Sequence, residues 1–234
     1  MKGRRPERVA DPAPILESVD AVLLDLYDTL VRTRWGQLSE RITAELGIEK
    51  ADLFHAYDAT REARGVGTYG SVEGDMTAIV EAVGLDPDPE LLERLLHMER
   101  EFSETGVELW EDSVPVVREL RARGVKAALI SNCSHSTRPI VDRLLIAEEF
   151  DEILLSFEVG IHKPDPGIYQ EALKRLGNVP PDRAVFVDDQ PAYCDGAAAL
   201  GIETFLIDRS GDGTPDLNGH RVIGDLRALL SVGA

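Results

Sequence analysis

Four short stretches of this chain place charged or hydrogen-bonding side chains where apolar runs end. In AVLLDLYDTLV, residues 21–31, small and branched apolar residues give way to Asp25, Tyr27, Asp28 and Thr29. VKAALIS, residues 125–131, ends in Ser131 and is followed by Asn132. Lys163 stands in the loop-like IHKPDP, and AVFVDD, residues 184–189, closes on Asp188 and Asp189. Such apolar runs read as strands buried on both faces, the kind found in parallel sheets. Groups directly after them stand at the carboxyl edge of the sheet, where open α/β sheets bind ligands.

Asp25, Asp188 and Asp189 converge only if the strands that carry them are neighbours. Three ionised carboxylates at a partly buried edge repel one another and are costly to leave unpaired. A hard divalent cation resolves this, and Mg²⁺ accepts one or two carboxylates together with carbonyls, waters and phosphate oxygens. Acids after a strand also suit a helix N-terminus, so the pair at 188–189 does not decide the matter alone. Lys163 can offset the acids and orient a nucleophile, although a solvated loop lysine reads the same way. Ser131 and Asn132 can donate to phosphoryl oxygens or cap the helix expected near residue 136.

The elements that must position these residues follow an α/β rhythm. From Trp110 onward, helical SVPVVRELRARG precedes the strand at 125–131, and a helix follows near 136–147. Strands at 151–156, 184–189 and 202–208 alternate with further helices, and a short helix follows at about 224–231. This alternation predicts a doubly wound parallel sheet. Residues 34–104 differ, reading as four helical segments with little strand character. Leu38, Ile42 and Leu46 share a helix face with Gly47 at its end. A second segment runs from about Ala51 to Arg64, GVGTYGSVEG at 65–74 is a flexible loop, and a third helix spans about Asp75–Val83. Asp86-Pro87-Asp88-Pro89 opens a fourth, with Leu91, Leu92, Leu95, Leu96 and Met98 as its buried set. The division expected is a flexible tail at 1–17, an α/β core at 18–32 and 109–234, and a small all-helical insert at 33–108.

The chain has 234 residues with 25 Lys and Arg against 43 Asp and Glu, a net charge of −18. Such a surface repels nucleic acid and anionic membranes, which excludes both as partners. It also repels anionic substrates at long range, so a site for one needs local positive charge. No apolar run approaches the ~20 residues that span a bilayer, and MKGRRPERVADPAP lacks the apolar middle of a secretory signal. Two cysteines, Cys133 and Cys194, make no disulfide framework, and burial as small apolar residues is their default. The expectation is a soluble, cytoplasmic protein with a small-molecule substrate, acting as a monomer or homodimer.

The four stretches, in this order, resemble the motifs of the haloacid dehalogenase superfamily of hydrolases. DLYDTL at 25–30 matches the first motif and SN at 131–132 the second. EVGIHKPDPGIY at 158–169 resembles the third, and VFVDDQPAYCDGAAALGI at 185–202 the fourth. The resemblance covers residues 20–31 and about 110–207. It implies a Rossmann-like core with a helical cap inserted after the first motif. It further implies a Mg²⁺-dependent phosphatase of a small phosphorylated metabolite, working through an aspartyl-phosphate on Asp25. Asp188 and Asp189 would hold Mg²⁺ with Asp25 and the carbonyl of Tyr27. Ser131 and the Asn132 backbone would hold the phosphoryl oxygens, with Thr29 and Arg34 in the substrate-binding set, and Lys163 would neutralise developing charge.

One position departs from the pattern. Phosphatases of this superfamily carry a second Asp two residues after the nucleophile as acid and base, and here that residue is Tyr27. A tyrosine with a pKa near ~10 is a poor base at neutral pH. Asp28 lies one place further on and, by strand alternation, does not simply replace a group at 27. Tyrosine is what the metal-independent 2-haloacid dehalogenases of the superfamily carry, yet their fourth motif lacks the paired acids present here. The acid pair weighs more, so the phosphatase reading leads. A 2-haloacid dehalogenase and an impaired hydrolase with a binding or regulatory role remain as alternatives. Asp28 and Tyr27 are candidates for the acid–base role, Arg32 and Arg34 for receiving an anionic group, and Tyr69 for the entrance to the site.

Overall fold

The structure, a computed structural model, describes residues 19–211 and 219–231. The tail expected at 1–17 and most of the turn-rich segment at 211–220 lie outside these residues. The elements run β1 (Ala21–Leu24), β2 (Val31–Thr33), α1 (Trp35–Leu46), α2 (Lys50–Ala59), α3 (Arg61–Gly65), α4 (Val72–Ala82), α5 (Pro89–Thr105) and β3 (Val107–Leu109). They continue with α6 (Ser113–Ala122), β4 (Lys126–Ser131), α7 (Thr137–Arg143), β5 (Glu152–Leu155), α8 (Ser156–Val159), α9 (Pro166–Arg175), β6 (Ala184–Asp188), α10 (Pro191–Ala198), β7 (Glu203–Ile207), β8 (Arg221–Ile223) and α11 (Ala228–Ser231).

Six strands form one parallel sheet in the order β5-β4-β1-β6-β7-β8. The central strands sort their side chains by the two-residue period of a strand. Val22, Leu24, Ala127, Leu129, Val185 and Val187 face one apolar layer, against Val116 and Leu120 of α6 and Ile140 of α7. Ala21, Leu23, Ala128, Ile130, Ala184 and Phe186 face the other, against Ile168 and Ala172 of α9 and Cys194 of α10. Both faces are covered, which is why these strands read as continuous apolar runs.

Helices α1 to α5 lie between β1 and β4 in the chain and have a core of their own. Leu38, Ile42, Leu53, Met76, Ile79, Leu92 and Leu95 pack together there, apart from both layers of the sheet. Burying a side chain of this size contributes roughly 1.5–3 kcal/mol. The antiparallel pair β2–β3 closes the root of this insert, with Val31 opposite Leu109. At the start of α5 the Asp88 carboxylate accepts from the Glu90 and Leu91 amides, with Pro89 in the first turn. Gly47 ends α1 at φ 65°, a left-handed conformation that favours glycine.

The structure departs from the sequence reading in several places. The helix expected over 51–64 is two, broken at Thr60, whose hydroxyl donates to the Ala56 carbonyl at 2.8 Å and accepts from Arg64 Nε at 3.0 Å. A threonine that bonds the preceding turn competes with the helix ladder. The next helix starts at Val72 rather than Asp75, because Ser71 caps it by accepting from the Gly74 amide. On α5, Leu96 and Met98 are only partly buried, whereas Glu99 and Ser103 are buried. Residue 99 stands one turn beyond Leu95 on the same face. β2, β3 and β8 have three residues each, too short for a periodic pattern, and were not foreseen. Among the described residues no helix is long and apolar enough to cross a membrane.

Candidate active site

Because β1 lies between β4 and β6, the polar ends of three strands meet at one edge. The Asp25 amide donates to the Val187 carbonyl at 3.0 Å, continuing the ladder one residue past β1. This sets the Asp25 carboxylate beside that of Asp188, and both are buried. Oxygens of Asp25, Asp188 and Asp189 all lie within 4.8 Å of one another.

Lys163 sits fully buried between two of these acids. Its Nζ donates to Asp25 Oδ1 and Asp188 Oδ2, each at 2.6 Å, and to the Ile130 carbonyl at 3.1 Å. The rings of Tyr193 and Phe186 lie 5.0 and 5.4 Å from the ammonium. Burial opposes its charge, but the Asp188 and Asp25 carboxylates outweigh burial and hold the proton more tightly than in water. The loop that delivers Lys163 is clamped by Asn132. Its Oδ1 accepts from the Lys163 amide and its Nδ2 donates to the Lys163 carbonyl, both at 2.7 Å. The Asn132 side chain therefore positions the lysine, leaving its backbone for any other partner. The Ser131 hydroxyl is buried without a hydrogen-bond partner.

One lysine does not neutralise three acids. Burial pushes the Asp25 carboxyl up to about 8 against the pull of Lys163, with Asp188 adding to the rise. Burial and then Asp188 push Asp189 up to about 6. The donor set is entirely hard oxygen, which suits a cation such as Mg²⁺. Asp188 Oδ1 already accepts from the Gln190 amide at 2.8 Å, and Asp189 Oδ2 from Gln190 Nε2 at 2.6 Å. Those bonds orient the two acids at the start of α10, as outer partners orient metal ligands.

A cavity of about 750 Å³ opens beside the cluster, between the sheet edge and the helical insert. Tyr27, Asp28, Asn132, Cys133 and Lys163 line its sheet side. The hydroxyls of Tyr27 and Thr137 lie 2.9 Å apart, and burial raises the Tyr27 phenol well above its ordinary range. Tyr27 is thus no base. Asp28 is exposed at φ 56°, and partial desolvation on the cavity wall raises its carboxyl. Burial likewise pushes the Cys133 thiol up to about 12, so it is an inert thiol, and Cys194 is buried.

Thr29, Arg32, Arg34 and Tyr69 do not reach this cavity. Arg34 and Arg32 are exposed and both donate to the Glu108 carboxylate, at 2.7 and 2.9 Å. They brace the β2–β3 pair instead of facing the acids. Thr29 is fully buried, with its carbonyl accepting from Arg209. Tyr69 is exposed. The sequence reading missed the insert's own charged contributions to the wall, which are Asp58, Arg61, Glu62, Arg64, Asp75 and Glu99. The phase of Glu99 with Leu92 and Leu95 was the available signal.

Comparison with known proteins shows the family and the fold. The family described as haloacid dehalogenase-like hydrolase matches residues 19–201. The chain is 31% identical over 203 residues to a glyceraldehyde 3-phosphate phosphatase of Methanopyrus kandleri, spanning 82% of this chain and 84% of the relative. It is 32% identical over 131 residues to (S)-2-haloacid dehalogenase 1 of a Pseudomonas species, 56% of this chain and 55% of the relative. Alignments with several other relatives span about half of the relative or less. A crystal structure of a 2-haloacid dehalogenase from Pseudomonas syringae superposes with a TM-score of 0.69 at 23% identity, over 92% of this chain and 97% of that one. At that identity the likeness speaks for the fold alone.

Proposed function

This chain belongs to the haloacid dehalogenase-like hydrolases, and from that premise we propose that it is a Mg²⁺-dependent phosphatase of a small phosphorylated metabolite. The observation that carries the reading is the approach of Asp25, Asp188 and Asp189 within 4.8 Å, against a single buried lysine. Asp25, Asp188 and Asp189, with the Tyr27 carbonyl, would hold Mg²⁺, which would supply the positive charge that a phosphate dianion needs to approach the acids. A family member that works on carbon needs no metal and has no use for such a cluster.

Asp25 is the nucleophile. An electron pair of its carboxylate forms the bond to phosphorus as the bond to the leaving oxygen breaks, and that oxygen keeps its pair. The Ser131 hydroxyl, buried and without a partner in the protein, donates to a phosphoryl oxygen, as does the Asn132 backbone amide. Lys163 holds Asp25 in place and offsets the charge that builds beside it. Asp28, exposed on the cavity wall with its carboxyl raised by partial desolvation, gives the leaving oxygen its proton. The resulting carboxylate takes a proton from water, whose oxygen attacks phosphorus, and cleavage of the phosphorus–Asp25 bond restores the enzyme. Residues 33–108 form a cap whose inner wall selects the leaving group.

Tyr27 favours a second reading, a 2-haloacid dehalogenase. There Asp25 attacks carbon, halide leaves with the bonding pair, and water hydrolyses the ester. Two assays separate the readings. A phosphatase releases p-nitrophenol from p-nitrophenyl phosphate, stops in EDTA, and loses on the order of 10³-fold or more in Asp25→Asn. Halide release from L-2-chloropropionate that is indifferent to EDTA, with no p-nitrophenol formed, establishes the dehalogenase instead.

A further inference from the structure

The loop that follows β1 is held by side chains from far along the chain. After Asp25 the backbone folds back on itself. The Asp28 amide donates to the Val31 carbonyl at 2.8 Å, and the Leu30 and Val31 amides both donate to the Leu26 carbonyl at 2.9 Å. This turn puts Asp28 at φ 56°, a left-handed conformation that a residue with a Cβ keeps only when its surroundings impose it. Those surroundings take hold of the next two carbonyls. Arg209, two residues beyond β7, donates Nε and Nη2 to the Thr29 carbonyl at 3.2 and 2.6 Å. The Leu30 carbonyl accepts from the Ser113 hydroxyl at 2.7 Å and from the Trp110 amide at 3.0 Å.

The arginine is itself fixed. Its Nη1 donates to both oxygens of Asp112, at 2.9 and 2.8 Å, and the two side chains are only 8% and 3% exposed. Asp112 Oδ2 also accepts from the Leu226 amide at 2.6 Å. The guanidinium carbon stands 5.2 Å from the centre of the Trp110 ring. A buried ion pair is a poor source of stability, because desolvation takes back much of what attraction gives. It is a good source of geometry. The planar guanidinium holds its donors in fixed directions, and here they are divided between one carboxylate and one backbone carbonyl. A lysine ammonium, with all its donors on one atom, cannot be divided in this way. Arg209 is not part of the cavity wall, so it meets no substrate there.

We propose that Arg209 is a positioning residue for the reaction: by holding the Thr29 carbonyl it fixes the left-handed turn that aims Asp28 at the leaving oxygen. The inference rests on the phosphatase reading and, within it, on Asp28 as the proton donor. Asp28 is exposed, so it lacks the packing that locks a buried side chain, and the backbone it hangs from sets its direction. Asp112 acts one step further back, by holding the arginine.

The test compares p-nitrophenyl phosphate, whose leaving oxygen departs without a proton, with phenyl phosphate, whose leaving oxygen needs one. The readout is the ratio of their kcat/KM values in the Mg²⁺-loaded enzyme. Asp28→Asn is expected to raise that ratio on the order of 10²-fold, the loss that follows removal of a general acid. Arg209→Lys keeps a cation opposite Asp112 but loses the fork, and is expected to raise the ratio about tenfold. In the Asp28→Asn background the same change is expected to add nothing. An arginine that served stability alone would lower both kcat/KM values by one factor and leave their ratio where it was. A ratio unmoved in Arg209→Lys, a ratio unmoved in Asp28→Asn, or a full second rise in the double variant overturns the proposal. If Arg209→Lys yields no folded protein, Ser113→Ala, which frees the adjacent Leu30 carbonyl, is held to the same ratio. Wild-type enzyme that turns over neither ester rejects the phosphatase reading itself, whereas turnover of both with an unmoved ratio rejects only the role of Arg209.

Discussion

Asp189, at the less buried side of the edge, has a titration that can be tested directly. Its carboxyl is pushed up to about 6 by burial and by Asp188, from a usual value of 3.8. Between those values the folded protein keeps a proton that the unfolded chain has lost. The stabilisation this provides is complete below 3.8 and disappears as pH rises through about 6. EDTA-treated protein is therefore expected to lose stability between pH 4 and 6 in urea titrations, with the slope reduced in Asp189→Asn. A Mg²⁺ ion bound by Asp189 would have to displace the same proton, so its apparent Kd is expected to tighten as pH rises from 5 to 7. A metal affinity that is flat over this range would remove Asp189 from the ligand set. Asp25, Ser131 and Asp188 were legible as edge residues because apolar runs end at them. Arg34 was not readable in the same way: its partner Glu108 lies 74 positions away, and only the β2–β3 pairing brings them together.

Elements show the same division between local and distant causes. β1, β4, β6 and β7 were readable because burial on both faces leaves an uninterrupted apolar run. The break at Thr60 and the start of α4 at Val72 depend on side chains that bond their own backbone, which apolar periodicity does not register. How the insert meets the sheet was not readable at all. Between α3 and α4, Gly67 adopts φ 77°, and a Cβ there would stand 2.3 Å from the Phe157 carbonyl oxygen of α8. Gly70, at φ 74° in the same loop, would carry a Cβ into open space. Both Gly→Ala changes impose left-handed strain of about 1–3 kcal/mol, but only Gly67→Ala must also part the insert from α8. Gly67→Ala is expected to melt below Gly70→Ala, with faster amide exchange over residues 156–160. Equal melting temperatures and exchange in the two variants would mean that the contact is not tight in solution.

At the scale of the whole molecule, the 43 acids against 25 basic residues set a field that the site must overcome. A phosphate dianion approaching the cavity is repelled from a distance, and the buried ammonium of Lys163, already shared by two carboxylates, does little to reverse that. Long-range repulsion is screened by salt: the Debye length falls from about 30 Å at 0.01 M to about 8 Å at 0.15 M. Interactions between buried groups beside the cavity are screened far less. With Mg²⁺ saturating, kcat/KM for a dianionic monoester such as 2-hydroxyethyl phosphate is expected to rise as NaCl is added over this range. Phosphoethanolamine differs from it by an ammonium in place of a hydroxyl, and its smaller net charge predicts a shallower rise. The difference between the two slopes isolates steering, which is largely screened at 0.15 M. A kcat/KM that falls with salt for both substrates would show that a local positive field, not the net charge, governs entry to the cavity.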